Sequence, residues 1–513
     1  MLMKEKSTNK GILGTIERVG NALPHPAILF LIFSLIIIVA SEIVARMGTT
    51  VTYFDARAGE EVTKSAVSML NGEGLRYIFN SATSNFTGFA PLGTVLVAML
   101  GVGVAEWSGL ISAALKNLIT SVPKALLTAV IVFAGVMSNI ASDAGYVVVI
   151  PLGAIVFASA GRHPIAGLAA AFAGVSAGFS ANLAIGTLDP LLAGITNEAL
   201  KAVGIVYEVL PTDNYIFMAV STFLLTAVGT FVTDRIVEPR LGVYTGSYVP
   251  DNEPLTTVER KGLRNAGISL LAFFVIMGLL MFPANAVFKE PDAAGNMVLN
   301  NFLGNGLLLM ILLAFLIPGL IYGKTIGMIK NSNDLIEAMT SAMRSMASYM
   351  VLAFFASQFI SYFAHTNLGL LISFKGAEIL ESIGFVGLPL VIAFVLLSAF
   401  LNLFMGSASA KWAIMAPIFV PMLMRLGIAP EFTQLAYRVG DSTTNIITPL
   451  MSYFAMILVF VRKYDEKSGL GTLIATMVPY SVIFLFSWIA LLIVFYVLNI
   501  PIGLGGASIH VPL

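Results

Sequence analysis

The chain has 513 residues, of which 58% are hydrophobic and only 11% are charged. A soluble globular protein carries about 25% charged residues, so this composition predicts a polytopic membrane protein. Acidic and basic residues balance at 28 each, which gives no basic excess for nucleic acid, and the absence of cysteine excludes disulfides, thiolate metal sites and cysteine nucleophiles. The four histidines form no His-x-x-x-His pair, so the sequence does not support a zinc site.

Apolar runs close to the length that a membrane-spanning helix requires recur along the chain. They lie at about 26–46, 88–115, 214–234, 266–287, 303–322, 346–365 and 472–498. The first run follows a polar, basic segment and is long enough to cross a bilayer. We therefore expect a spanning helix there rather than a cleaved signal core.

Two further apolar regions, 122–200 and 386–462, are too long for one helix and are broken by polar stretches. The breaks in chain order are SNIASDAG (138–145), SAGFSANLAIGTLDP (176–190), NLFMGSASAK (402–411) and YRVGDSTTNIITP (437–449). Each region begins with two half-length arms around a polar tip. The helix that follows ends in a stretch rich in Gly, Ser, Thr and Asn. This shared order of elements indicates an internal repeat.

Asparagines mark equivalent points of the two repeats. Asn139 and Asn402 lie in the tips, and each is followed at the same spacing by a second asparagine, Asn182 or Asn445, in the broken helix. The arms of about 15 residues are too short to cross a bilayer, so we expect two re-entrant hairpins. Non-helical backbone at membrane depth requires protein or a water-filled cavity to satisfy it, so the breaks predict a polar cavity.

The distribution of lysine and arginine predicts the orientation. With a cytoplasmic N-terminus, the basic residues collect on the cytoplasmic side if each hairpin returns to the side from which it enters. The first hairpin then enters from the cytoplasm and the second from outside, which is inverted repeat topology. The predicted fold class is an all-α polytopic membrane protein with nine transmembrane helices, two re-entrant hairpins, broken helices at the substrate site and the C-terminus outside.

The predicted organisation follows the repeats. It consists of an N-terminal scaffold segment with the first two transmembrane helices (1–121), repeat 1 (122–200), scaffold and dimerisation helices (201–385), repeat 2 (386–462), and the last transmembrane helix with the C-terminus (463–513). Charged residues at membrane depth are costly and mark functional sites. The candidates are Glu106, Asp143, Asp189, Lys411, Arg438 and Asp441. Glu106 lies outside the repeats, and we expect it to face the bundle in a helix-packing role.

Oxygen-bearing side chains in repeat 1 have two possible roles. Asn139, Ser142 and Asp143 offer oxygen ligands that suit a hard cation such as Na⁺, but Ser142 and Asp143 would equally cap a helix start. Asn182 is a further candidate for the coupling ion. Asp189 precedes a proline as an N-cap would, whereas an unpaired aspartate there would be a proton carrier because desolvation raises a carboxyl pKa.

The tip of repeat 2 contains Asn402, Ser407 and Ser409, followed by Lys411 and Trp412. The lysine would either snorkel toward the interface or pair with a carboxylate. The indole of Trp412 would either stack on an aromatic ligand or anchor the helix at the membrane interface. Two of the asparagines in this repeat, Asn402 and Asn445, are also possible Na⁺ ligands.

Arg438 and Asp441 are the two charged residues that most strongly indicate a functional site. Three residues apart, they share a helix face and can pair. A buried pair often adds little net stability, which favours a functional role. Arg438 would grip a substrate carboxylate with two hydrogen bonds, while Asp441 would hold a coupling cation or proton and pair alternately with the arginine.

Other function classes receive less support from the residues. Gly440-Asp441 superficially resembles the Gly-Asp of an intramembrane aspartyl protease, but that chemistry needs two carboxylates in one site and the sequence specifies no partner. A channel would show ohmic flux independent of coupling gradients, and paired hairpins in an inverted repeat argue against it. A Na⁺-coupled transporter of another small carboxylate is the nearer alternative. The expected protein is not an enzyme and has no cofactor beyond a possible Na⁺ ion.

Several stretches closely resemble the p-aminobenzoyl-glutamate transporter (AbgT) family. They are IERVGNALPHPAILF (16–30), GVMSNIASDAG (135–145), FVTDRIVEPRLG (231–242), SASAKWAIMAPIFVPML (407–423) and YRVGDSTTNIITP (437–449). The resemblance extends over nearly the whole chain. It implies a homodimer in the bacterial inner membrane, contacting lipid and no nucleic acid, with nine transmembrane helices and two re-entrant hairpins in each subunit.

The resemblance also implies substrates and site residues. Family members are associated with uptake of p-aminobenzoyl-glutamate and with export of sulfonamide antimetabolites, which predicts a secondary active transporter driven by a proton or sodium gradient. The family's functional positions fall on Asn402, Trp412, Pro430, Arg438 and Asp441, with Asp189 in the first repeat. A glutamate dicarboxylate suits Arg438 and an aminobenzoyl ring suits Trp412.

Overall fold

The computed structural model describes residues 24–55, 60–120, 123–141, 145–246, 255–291, 297–299, 302, 306–451 and 453–511. Regular structure in these residues is nearly all helical, which confirms the prediction of an all-α protein. Two small antiparallel ladders are the exceptions: β1 (Thr50–Asp55) pairs with β2 (Glu60–Ser65), and β3 (Glu290–Pro291) pairs with β4 (Met297–Val298). Neither ladder was predicted from the sequence.

The helices are numbered in chain order. They are α1 (Pro26–Arg46), α2 (Gly72–Thr87), α3 (Ala90–Trp107), α4 (Leu110–Thr120), α5 (Leu127–Met137), α6 (Ile150–Ser159), α7 (Pro164–Phe172), α8 (Leu188–Ala202), α9 (Tyr215–Val232), α10 (Glu238–Leu241), α11 (Thr257–Met281), α12 (Leu307–Ile326), α13 (Ser332–Ser345), α14 (Ala347–His365), α15 (Leu368–Ser382), α16 (Gly387–Asn402), α17 (Ala408–Arg425), α18 (Pro430–Thr443), α19 (Phe454–Arg462) and α20 (Leu470–Leu498).

Seven helical stretches in the described part of the chain are long and apolar enough to cross a membrane. They are Pro26–Arg46, Gly72–Trp107, Tyr215–Leu241, Thr257–Met281, Leu307–Ile326, Ala347–His365 and Leu470–Leu498. Two predicted boundaries were wrong. The run 88–115 is not one helix, because α3 ends at Trp107 and Gly109 has a left-handed φ of 83°. The run 266–287 begins too late, since the capping box of Thr256 and Glu259 starts α11 at Thr257.

The first repeat forms a helical hairpin followed by a broken helix. Its hairpin arms are α5, extended by a 3₁₀ turn (Ser138–Ala141), and α6, preceded by a π-helical turn (Gly145–Val149). Helix α7 continues into a second π turn (Ala173–Ala177), after which residues 178–187 are not helical and α8 resumes. The helix therefore breaks within the polar stretch that the sequence singled out.

The second repeat has the same order of elements. Helices α16 and α17 form the hairpin, with α17 at 18 residues longer than the predicted half-length arm. Helix α18 ends at Thr443, a 3₁₀ turn (Asn445–Ile447) follows, and the helical path resumes only at α19. Gly440 lets α18 approach α16 closely, because a Cβ there would lie 2.3 Å from the carbonyl oxygen of Val395.

The C-terminal residues contact repeat 2 and the loop between α8 and α9. Leu504 N–H donates to Thr212 O at 3.2 Å, and Val511 N–H donates to Gly427 O at 3.1 Å. The loop between α8 and α9 beneath this segment is tightly packed, since a Cβ on Gly503 would meet the backbone of Asp213 at 2.4 Å. The last described segment thus connects repeat 2 to the loop that follows α8.

Asp213 in this loop predicts a pH dependence of stability. Burial raises its pKa from 3.8 to about 7, and the nearby carboxylates of Glu431 and Glu208 add to the rise. Because the folded protein holds this proton more tightly than the unfolded chain, stability falls as the pH rises from the unfolded value toward 7. We expect Asp213→Asn, which keeps an acceptor for Leu210 N–H, to raise the thermal unfolding midpoint at pH 8 but not at pH 4. An equal change at both values would contradict this assignment.

Candidate functional site

The broken helices of the two repeats meet in the interior. Asn445 Nδ2 donates to Ser176 O at 3.1 Å, and Arg438 Nη2 donates to Ser180 O at 3.1 Å. Helix α17 of the second hairpin also packs on α8 of the first broken helix. Residues that lie far apart in the chain therefore form one polar centre.

Arg438 in this centre pairs with Asp189 and not with Asp441. Its Nη1 lies 2.8 Å from Asp189 Oδ1, and the two side chains are 2% and 13% exposed. The other carboxylate oxygen, Oδ2, accepts from Gly186 N–H at 2.8 Å, so Asp189 holds the loop before α8 as well as the arginine. The predicted pair within one helix was wrong, because the crossing of the repeats brings a carboxylate to Arg438 from the other repeat.

Asp441 pairs with Lys411. Asp441 Oδ1 lies 2.5 Å from Lys411 Nζ, and each side chain is 2% exposed. Tyr437, whose hydroxyl donates to Ala408 O, also lies with that hydroxyl 3.1 Å from Asp441 Oδ1. Of the two roles considered for Lys411, the structure contains the pair with a carboxylate. The side chain does not snorkel toward the interface.

Trp412 is completely buried, so it is not an interfacial anchor in this structure. Its Nε1–H donates to Thr196 Oγ1 at 3.0 Å, and its ring lies 4.5 Å from that of Tyr437 at an angle of 27°. Thr196 Oγ1 in turn lies 2.6 Å from Gln434 Oε1, and Gln434 Nε2 donates to Asn214 Oδ1 at 2.9 Å. A continuous hydrogen-bond chain thus connects Trp412 to α18.

This chain predicts a strong effect for a nearly isosteric change. Thr196→Val removes the hydroxyl that accepts from Trp412 and leaves the indole N–H and Gln434 Oε1 unpaired in the interior. An unsatisfied buried group costs about 1–3 kcal/mol. We expect a lower thermal unfolding midpoint and weaker ligand binding, whereas Thr196→Ser, which keeps the hydroxyl, should stay close to the wild-type values. Loss of the same size in both variants would contradict this role for the hydroxyl.

The asparagines of the second repeat are already engaged. Asn402 Nδ2 donates to Asn445 Oδ1 at 2.8 Å and to Thr444 Oγ1 at 2.9 Å, while Asn402 Oδ1 accepts from Lys411 Nζ. The carbonyl oxygens of both asparagines, which the sequence offered as Na⁺ ligands, therefore accept hydrogen bonds from side chains in this structure. The described residues contain no cluster of His, Asp and Glu that could hold a metal ion.

The asparagines of the first repeat behave differently. Asn139 Nδ2 donates to Val136 O at 3.1 Å and to Gly178 O at 3.3 Å, but its buried Oδ1 has no hydrogen-bond partner within the described residues. Asn182 Oδ1 accepts from Ala184 N–H at 3.3 Å. Ser142 and Asp143, predicted to join Asn139 around a cation, lie outside the described residues.

Other predicted residues lie at the edge of this centre or away from it. Pro430 is the first residue of α18, where its fixed φ suits a helix start, and lies two turns before Arg438. Asp189 does not act as the N-cap of α8; Thr187 occupies that position. Glu106, expected to face the bundle, is exposed at the end of α3.

A cavity of about 360 Å³ reaches the tips of both hairpins. Asn139 and Tyr146 line it from the first repeat, and Ser407 and Ser409 line it from the second. The same serines line an adjoining cavity of about 500 Å³ that extends to His25, the N-cap of α1. Open space therefore leads from the N-terminal end of α1 to the tips, while Arg438, Asp441 and Trp412 are buried.

Several residues of the site were not predicted. Thr196, Asn214, Gln434 and Tyr437 connect Trp412, Arg438 and Asp441, yet none of the four is charged, and only Tyr437 lies in one of the polar breaks. One signal was available for Gln434, since it precedes Arg438 by one turn on the same helix and shares its polar face.

Comparisons with known proteins agree with this architecture. Residues 11–510 match the AbgT putative transporter family. The p-aminobenzoyl-glutamate transport protein of Escherichia coli K12 is 38% identical over 495 residues, covering 96% of each chain. The crystal structure of the YdaH transporter of Alcanivorax borkumensis matches with a TM-score of 0.86 and 44% identity, over 94% of this chain and 100% of that one.

A second solved structure is more similar still. MtrF of Neisseria gonorrhoeae, described as illuminating a class of antimetabolite efflux pumps, matches with a TM-score of 0.90 and 46% identity, over 97% of this chain and 100% of its own. The three relatives each match between 94% and 97% of this chain. The chain belongs to the AbgT family, and it is a multi-pass membrane transporter rather than an enzyme.

Proposed function

We propose that this protein is a secondary active transporter of p-aminobenzoyl-glutamate and related aminobenzoyl compounds, including export of sulfonamide antimetabolites, driven by a proton or sodium gradient. The observation that carries the proposal is the buried centre in which Arg438 lies on the carboxylate of Asp189 and α17 presents Trp412 beside it. The names of the E. coli and N. gonorrhoeae relatives agree with the two classes of ligand.

Arg438 would bind the glutamate part of the substrate. Its guanidinium already holds one carboxylate oxygen of Asp189, and its Nε is buried without a hydrogen-bond partner in the described structure. A guanidinium presents a planar fork that matches a carboxylate with two parallel hydrogen bonds. A substrate carboxylate would thus use the unpaired Nε–H and release Asp189, which couples ligand binding to the loop before α8.

The aromatic part of the substrate would contact Trp412. The indole and the Tyr437 ring already stack in the interior, which leaves the ligand to insert beside them or to displace the tyrosine. Tyr437 also lies against Asp441, so movement of its ring would reach the Lys411–Asp441 pair. Binding of the substrate at Trp412 would thus affect the Lys411–Asp441 pair through the movement of Tyr437.

The coupling ion would bind in the first repeat. Asn139 Oδ1 is a buried acceptor without a partner in the described structure, at the wall of the cavity between the hairpin tips. We propose it as one ligand of a Na⁺ ion, together with Ser142 and Asp143. Release of Asp189 from Arg438 provides the alternative route, in which the freed carboxylate takes up a proton.

The proposal includes the membrane topology and the dimer predicted from the sequence. The two hairpins would be re-entrant, and the seven apolar helical stretches together with the two broken helices would make nine spans. Parts 122–200 and 386–462 would move as the substrate-carrying unit against scaffold helices that form a homodimer. The protein would lie in the bacterial inner membrane with a cytoplasmic N-terminus and the C-terminus outside.

Flux of p-aminobenzoyl-glutamate in proteoliposomes tests the proposal. We expect accumulation against a concentration gradient when one ion gradient is imposed, and collapse of that accumulation when an ionophore for the same ion is added. Imposing proton and sodium gradients separately identifies the coupling ion. Flux without accumulation under either gradient would indicate a channel, and accumulation of only unrelated small carboxylates would favour the alternative Na⁺-coupled transporter.

A further inference from the structure

The tip of the second hairpin holds a cation of its own, the ammonium group of Lys411. Its Nζ lies 2.5 Å from Asp441 Oδ1, donates to Asn402 Oδ1 and lies 3.4 Å from the carbonyl oxygen of Met405. One carboxylate, one amide and one backbone carbonyl therefore converge on a single positive charge. These three kinds of oxygen are also the ligands that hard metal cations take from proteins.

The first hairpin has an asparagine at the equivalent tip position but no lysine at the matching spacing. Asn139 occupies the tip position that Asn402 occupies in the second repeat, yet its Oδ1 is buried without a partner in the described structure. The residue that follows Asn139 at the distance separating Lys411 from Asn402 is Val148. The two tips thus differ in the partner of the amide oxygen: Asn402 Oδ1 accepts from a tethered ammonium group, whereas Asn139 Oδ1 has no partner in the described structure.

We propose that Lys411 is a tethered cation that occupies, in the second repeat, the place of a free alkali metal ion. While its side chain is seated, the second hairpin binds no free ion, and an ion used in transport binds in the first repeat alone. The consequence for coupling rests on the proposed transport function. The cation site itself does not, because it follows from the oxygens around Nζ.

The proposal predicts what happens when the lysine is removed. Asp441 is 2% exposed, so its charge requires a cation in the interior. Lys411→Ala removes both the ammonium group and the alkyl chain, which leaves the carboxylate, the Asn402 carbonyl and the Met405 carbonyl around an open space. We expect this variant to bind Na⁺ at the second hairpin, where the wild-type protein does not.

Thermal unfolding of the detergent-purified protein provides the test. Wild type and Lys411→Ala are compared in sodium chloride and in choline chloride of equal concentration. A ligand that binds only the folded state raises its stability, so we expect sodium to raise the midpoint of Lys411→Ala by about 3 °C more than that of wild type. Lys201→Ala, which removes a lysine with a 75% exposed side chain, should respond as wild type does.

A second variant identifies the site of the added sodium. In Lys411→Ala/Asp441→Asn the anionic ligand is absent, so the additional sodium response should disappear. If Lys411→Ala does not fold, Lys411→Gln, which keeps part of the side-chain volume and removes the charge, carries the same prediction. An unchanged sodium response in the folded single variant, or an additional response that persists in the double variant, would overturn the tethered cation. Neither outcome depends on transport, so failure of the proposed function would be seen separately.

Discussion

Replacing Asp441 with asparagine is expected to abolish gradient-driven transport and to lower the thermal stability of the protein together. The substitution leaves the ammonium group of Lys411, which is 2% exposed, without the carboxylate 2.5 Å away. Breaking a buried ion pair by removing one partner costs about 3–5 kcal/mol, because an uncompensated charge stays in the interior. Transport in proteoliposomes and thermal unfolding in detergent measure the two losses in the same preparation.

A double variant separates the effect on stability from the effect on transport. Lys411→Met/Asp441→Asn removes both charges and keeps much of the side-chain volume. Replacing a buried ion pair by residues of similar volume is often neutral or stabilising. We therefore expect the unfolding midpoint to recover while transport remains absent. Wild-type flux in Asp441→Asn under an intact gradient would show that the pair has no part in transport.

Replacing Arg438 with alanine is expected to weaken binding of p-aminobenzoyl-glutamate far more than binding of sulfonamides. Truncating one partner of a buried, hydrogen-bonded charge pair costs about 2–5 kcal/mol, and the lower limit corresponds to roughly a 30-fold loss of affinity. Sulfonamides share the aminophenyl group but carry no dicarboxylate, so their affinity should change by less than about tenfold. Isothermal titration calorimetry with both ligands measures the difference.

The matched control for this prediction is Asp189→Asn. It keeps Arg438 but removes the carboxylate 2.8 Å from Nη1 that competes with the substrate. We expect equilibrium binding of p-aminobenzoyl-glutamate to be retained or strengthened in this variant. Equal losses for both ligands in Arg438→Ala would argue instead that the arginine is a structural link between the repeats.

Much of the helical frame could be predicted because the signals are local. Apolar length defines most of the long helices, and clusters of Gly, Ser, Thr and Asn mark the places where α7 and α18 end. The wrong helix boundaries occurred where hydrophobic composition alone did not determine the end of a helix. Gly109, with its left-handed φ, divides an apolar run that composition alone makes continuous.

The ion pairs could not be predicted because they are set by tertiary crossing. The spacing of three residues within one helix indicated an ion pair between Arg438 and Asp441, because helix periodicity relates only residues that are close in sequence. The carboxylate on Arg438 instead comes from Asp189 in the other repeat, and the ammonium group on Asp441 comes from the second hairpin. The two repeats bring their broken helices together in space, but the sequence does not specify which side chains then meet.

The uncharged residues around Trp412 illustrate the same limit. Thr196 lies on an ordinary helical stretch, and its hydroxyl could have bonded to the preceding turn alone, as it does to Leu192 O at 2.9 Å. Only the packing of α17 on α8 places the indole N–H within 3.0 Å of it. Residues of this kind become recognisable as part of a site after the fold is known.

A structure with bound p-aminobenzoyl-glutamate tests the central claim most directly. We predict that a substrate carboxylate lies on Arg438, that the Arg438–Asp189 pair opens, and that the aminobenzoyl ring contacts Trp412. The protein also contains an apolar cavity of about 670 Å³ lined by α4, α11 and α12, which offers no such charge. Substrate bound there, with Arg438 still on Asp189, would contradict the account.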